Sequence, residues 1–198
     1  MKSKTAIGAI RSITLPENFS ITEDTVGKVA LSHLRRYECD INSNVEISFF
    51  YRGTELSEPD TKTLRHYLSQ PNQILLRASD SGEISKEDIA KMQEFYFIIG
   101  TPGNNQISNP EKGMRGPRFF LQKIETITIS GKRCLAVTGW FHGPGGNIQN
   151  FFYGTYFDAK RTSELCRLEE VYLHTPTENL FEKYLINFKE TLKTIIWK

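Results

Sequence analysis

The chain has 198 residues, 25 of them basic and 23 acidic, for a formal net charge of +2. Its 38% apolar and 12% aromatic content supplies a packed core and excludes global disorder. So small a net charge gives no electrostatic footprint for nucleic acid as the main partner.

The opening segment, residues 1–19, carries a basic start and an apolar run broken by Gly8 and Arg11, too short for a signal peptide. No stretch approaches the roughly 18 apolar residues of a membrane span. A cytoplasmic protein that does not enter a membrane is expected. Cys39, Cys134 and Cys166 are far apart, odd in number and without metal-type spacing, so buried free thiols are expected.

A first helix is predicted from "ITEDTVGKVALSHLRRYE", residues 21–38, capped by Thr22 or Asp24, because Val26, Val29, Ala30, Leu34 and Tyr37 recur near helical spacing. "VEISFFYRGTEL", residues 45–56, reads as a strand, with Phe50 on one face and Phe49 and Tyr51 on the other. "QILLRA" gives a further strand. The polar joint "RASDSGEISKED", residues 77–88, marks a domain boundary near 79–84 and defines domains 1–79 and 84–198. A second helix begins at Ser85 with Asp88 three residues on, and Ile89, Met92, Tyr96 and Ile99 form its stripe. Residues 100–117, with four Gly and three Pro, exclude a single regular element.

Four strands follow: residues 118–129, 133–142, 148–159 and 165–174. Ser130-Gly131-Lys132 makes the hairpin turn between the first two. Short connections favour an antiparallel meander. Thr175 as cap, Pro176 at the first helical position and Glu178 at the third open a last helix, whose Phe181, Tyr184, Leu185, Phe188 and Leu192 cover a core.

From Tyr51, Gly53, Leu56, Leu64 and Tyr67 to Ile74–Arg77, the chain resembles the second half of the ubiquitin fold, over roughly 60 residues. "DTVGKV", residues 24–29, is similar to the start of that family's helix. The stretch from Leu56 to Leu64 is longer than in ubiquitin, and Pro16 marks the first hairpin poorly. The resemblance implies an N-terminal ubiquitin-like β-grasp, which with the antiparallel four-stranded meander and its flanking helices gives an α+β chain. A conjugated modifier needs a free terminal Gly-Gly, which this chain lacks at that point, so a built-in recognition module is implied. In that layout Phe50, Gln73 and Leu75 would form a protein-binding surface, with Phe50 pointing outward. The second domain is faintly similar to the PsbP-like and Ran-release-factor-like α/β families, and to nuclear transport factor 2-like domains, with no motif to carry residues across.

The run "FHGPGGN" offers Gly143, Gly145 and Gly146 for backbone approach to an anion and His142 as an acid or base. A glycine-bearing hairpin loop explains it more simply, because the spacing fits no phosphate-binding fingerprint. Arg115 and Arg118 lie beside Phe119 and Phe120, as in a phosphate or base contact, or as a solvated rim. Glu169 and Glu170 alternate on a strand, poor for paired acid–base work and ordinary for an edge. Seven aromatics from Trp140 to Phe157 are expected to pack beneath the last helix. Nothing calls for a cofactor or a metal.

The leading expectation is a non-catalytic interaction or adaptor protein whose partner is another protein. The alternative is an enzyme or small-ligand-binding protein, with its site near His142 and the 100–118 loop. Nucleic-acid binding through Arg115, Arg118 and the aromatics ranks third. The residues decide neither enzyme activity nor oligomeric state.

Overall fold

The computed structural model describes residues 4–27, 32–77, 94–95, 119–142, 149–159 and 164–198, without side-chain detail at 119–121, 141, 142 and 149. Eleven strands and two helices are formed by these residues: β1 (Lys4–Ile7), β2 (Ile10–Thr14), β3 (Phe19–Val26), β4 (His33–Cys39), β5 (Asn42–Glu55), α1 (Glu58–Ser69), β6 (Ile74–Arg77), β7 (Phe119–Ile129), β8 (Lys132–His142), β9 (Gln149–Asp158), β10 (Arg167–Thr175), α2 (Glu178–Lys193) and β11 (Ile196–Trp197).

The fold is predominantly β and corrects the α+β, β-grasp expectation. Eight strands form one sheet in the order β3-β4-β5-β10-β9-β8-β7-β6, and β1-β2-β11 form a small second sheet. The expected first helix is instead the β3–β4 hairpin, with Gly27 N–H donating to Ser32 O at 2.7 Å near its turn. Period two wins over period 3.6 here because Phe19, Tyr37 and Cys39 alternate inward and the segment is rich in β-branched residues. Cross-strand charge pairs reinforce it: Arg35 meets Asp24 at 2.8 Å and Arg36 meets Glu23 at 3.1 Å. With that helix gone, no β-grasp remains. The opening hairpin joins β11 in its own sheet, and β6 lies antiparallel to β7.

The strands read between residues 118 and 174 are present and pair in sequence order. Ser130 (φ 46°) and Gly131 (φ 81°) form the two-residue turn between β7 and β8, both left-handed as a type I′ hairpin requires. The boundary near 79–84 and the helix expected from Ser85 lie outside the described residues. Strands from both sides of that boundary share one sheet, since β5 pairs with β10 and β6 with β7.

The large sheet buries both faces. One packs Ile47, Phe49, Phe151, Phe157, Val171 and Leu173 under β1, β2 and α2. Phe181 of α2 stacks at 6.0 Å on Phe151, and Phe188 meets Tyr153 edge-on at 6.1 Å. The other face packs Leu76, Ile124, Leu135, Val137 and Phe152 with Leu64 of α1. The caps differ slightly from the expected pattern. Thr175 closes β10, so Thr177 caps α2, its hydroxyl accepting from Leu180 N–H at 3.4 Å. Tyr67 donates to the Glu94 carboxylate at 2.5 Å. All three cysteines are free and buried.

Candidate functional site

A pocket of about 570 Å³ opens where the small sheet meets the large one. Gly8 and Ala9, the turn between β1 and β2, form one wall. Ser130, Gly131 and Lys132, the turn between β7 and β8, form the opposite wall, and Tyr51, Trp197 and Lys198 complete most of the lining. The small sheet fixes this geometry. Trp197 pairs with Ile10 across β11 and β2, and Lys198 N–H donates to Ala9 O at 2.9 Å.

The aromatic lining is held rigidly. The Trp197 indole N–H donates to Ile129 O at 3.0 Å, and its ring meets Phe157 edge-on at 4.8 Å. The Lys132 ammonium stands 4.7 Å from the Trp197 ring centre and 5.0 Å from that of Phe157, a cation–π arrangement that keeps its charge at the pocket. Tyr51 accepts from the Arg167 guanidinium at 3.3 Å, and Arg167 also reaches Glu55 at 3.2 Å.

Behind the Gly8–Ala9 wall lies Glu169. It is only 1% exposed, although β10 is a central strand rather than the edge expected for it. Its Oε2 accepts from Ala9 N–H at 2.7 Å, while Oε1 is buried without a hydrogen-bond partner. Gly8 has φ +51°, and a Cβ built there would fall 2.3 Å from Oε1. Glycine is required twice over, for the left-handed backbone and for room beside the carboxylate. Burial pushes the Glu169 carboxyl up to about 7, against the lowering influence of the Ala9 N–H, Lys132 and Lys198.

Neighbouring Glu170 points to the opposite face and is fully buried. Its carboxylate pairs with Arg52 Nε at 2.5 Å. On this face, burial and then the Glu170 charge push the Tyr156 phenol well up. A shared network joins Glu46 to Arg36 at 3.3 Å and to His174 at 3.7 Å.

The residues expected to bind protein are not brought together. Phe49 is fully buried, and Phe50 and Tyr51 are both half-buried on opposite faces. Phe50 sits between Leu34 and Glu170, and four strands separate β5 from β6. Leu75 is 8% exposed and packs in the core under α1. Gln73 is exposed and pairs through its backbone with Thr126. Arg115, Arg118, Gly143, Gly145 and Gly146 lie outside the described residues, as does the side chain of His142, whose backbone ends β8. Among the described residues no cluster of His, Cys, Asp or Glu could hold a metal ion, and no helix is long and apolar enough to cross a membrane.

Glu169, Gly8, Lys132 and Trp197 were not singled out by the sequence as a site. The available signal was a Glu-Glu pair inside an otherwise apolar strand, which marks two buried carboxylates only once that strand is central.

No family model matches the sequence, and no curated protein matches it either. Among solved structures the chain is similar to PA94, a protein of unknown function from Pseudomonas aeruginosa, at 13% identity and a TM-score of 0.39, over 100% of this chain and 97% of that one.

Proposed function

We propose that this is a non-catalytic binding protein. Its pocket captures an anionic group, of the carboxylate or sulfonate type, carried on a flat apolar body. The observation that carries this reading is the lining itself: two lysines beside a pinned indole, with no Asp or Glu side chain among the lining residues. A flat ligand stacks on Trp197 while its charge meets Lys132 and Lys198.

Binding is favoured over catalysis by the position of Glu169. It is the group near the pocket whose affinity for protons suits acid–base work at neutral pH. It sits behind the wall, with Gly8 and Ala9 between it and the cavity, out of reach of a reacting atom. The anion is carried either by a small molecule or by a side chain of a partner protein.

Calorimetry with naphthalene-2-sulfonate and with the corresponding naphthyl-methylammonium tests the charge. The sulfonate is expected to bind, to weaken with added salt and to weaken about tenfold or more on Trp197→Ala. Preference for the ammonium would sink the reading. An Asp-Trp-containing peptide competing with the sulfonate would place the ligand on a protein partner, and failure to compete would favour a small molecule.

A further inference from the structure

The pocket wall and Glu169 form one mechanical unit. The carboxylate holds the β1–β2 turn through Ala9 N–H, and it occupies the space that the missing side chain of Gly8 leaves open. Its second oxygen is buried and unsatisfied. An unpartnered buried oxygen costs free energy, and a proton on it removes the charge that burial penalises.

We infer that Glu169 is a positioning residue that couples anion capture in this pocket to proton uptake, so that the protein binds its ligand more tightly as pH falls through neutrality. The inference rests on the reading of the pocket as an anion site and adds its regulation. An anion arriving beyond the Gly8–Ala9 wall repels an ionised Glu169, and this repulsion disappears when Glu169 takes a proton. By reciprocity, the ligand raises the proton affinity of Glu169 as much as the proton raises the affinity for the ligand.

Most of the charges around Glu169 are fixed near neutrality. Among the described residues, Lys132 faces it from the β7–β8 turn and Lys198 from the end of β11. Tyr51 is its cross-strand neighbour on β5, and Arg167 lies two residues earlier on its own strand and contacts Tyr51. His33 stands one strand further, opposite Tyr51, and is paired with Asp24. The β9 neighbour, Phe157, is uncharged. Lysine, arginine and tyrosine side chains ordinarily change charge only at higher pH. Burial places the Glu169 transition at about 7, inside the range in which a pocket would be regulated.

The test is calorimetric titration of the whole chain with naphthalene-2-sulfonate, whose charge is fixed throughout, at pH 6, 7 and 8.5 and in buffers of different ionisation enthalpy. The wild type is expected to bind roughly tenfold more tightly at pH 6 than at pH 8.5, within the usual range of coupling between two sites. At pH 7 its heat should depend on the buffer, reporting a proton taken up. Glu169→Gln keeps an acceptor for Ala9 N–H and mimics the protonated form. It should bind with the wild-type low-pH affinity at every pH, with no buffer dependence. Binding that is equally tight at all three pH values overturns the coupling and leaves the pocket reading standing. A pH dependence that persists in Glu169→Gln assigns the proton to His33 or another group and overturns it too. No sulfonate binding at any pH overturns both. The wild-type arm needs no variant, so a poorly folding Glu169→Gln does not protect the inference.

Discussion

Glu169 and Glu170 are chain neighbours on one central strand, and both are removed from water, yet their surroundings differ in kind. Glu170 faces a guanidinium on β5. Glu169 faces a turn backbone and accepts one N–H there. Burial is nearly equal at 0% and 1%, so it does not distinguish them. The partner does. A carboxylate with a fixed cation is a structural element, and one with only a peptide N–H and more distant lysines can exchange a proton near neutrality.

Removing the fixed cation is the strongest way to test that contrast. Arg52→Met strips Glu170 of its ion-pair partner in a site that excludes water, where breaking a buried pair costs about 3–5 kcal/mol. Urea denaturation should show a loss of that size, and Arg52→Met combined with Glu170→Met should regain most of it. A loss below about 1 kcal/mol for the single variant would mean that the pair is better solvated than its burial implies.

The second test separates the two carboxyls by pH. The Glu169 carboxyl is raised in the folded state to about 7 from its ordinary value of 4.5. Between these values the folded state holds more protons than the unfolded one, so stability falls as pH rises. The Glu169 contribution is fully present below pH 4.5, is lost progressively toward pH 7 and is flat above it. A shift of that size corresponds to about 3 kcal/mol. The difference between wild type and Glu169→Gln, followed by urea denaturation from pH 4.5 to 8, isolates it from every other titrating group. A difference that does not change with pH would place Glu169 alongside Glu170 as a residue of fixed charge.

The meander and the last helix were legible because their signals are local. Alternating apolar residues, a Ser-Gly turn and a stripe spaced by threes and fours each fix one element. The β3–β4 hairpin was not legible, because Val26, Leu34 and Tyr37 recur near a helical period, while in β4 Leu34 and Tyr37 point to opposite faces. What decides is pairing with β5 and the inward alternation of Phe19, Tyr37 and Cys39, which are long-range facts. The ubiquitin-like pattern failed for the same reason. Phe50 and Leu75 have suitable local neighbours, but β10, β9, β8 and β7 are inserted between their strands. The pocket was least legible of all. It joins residues 8, 51, 132 and 197, and the carboxylate behind its wall lies more than 150 positions from Gly8 in the chain.

That glycine gives the finest test of where the carboxylate sits. Gly8 and Gly131 both line the pocket in turns with positive φ, +51° and +81°. Alanine at either position pays for a left-handed backbone, roughly 1–2 kcal/mol. Only Gly8 carries a further penalty, since its Cβ would fall 2.3 Å from Glu169 Oε1, whereas nothing lies within 4 Å of a Cβ at Gly131. Gly8→Ala should therefore be the more costly by about 1–2 kcal/mol, the scale of a local overpacking strain. In a Glu169→Ala background that excess should vanish and the two alanine substitutions should cost the same, because the extra strain belongs to the contact and not to the backbone. If the excess survives without the carboxylate, the Gly8 turn is constrained by its own sheet, and Glu169 no longer holds the pocket wall.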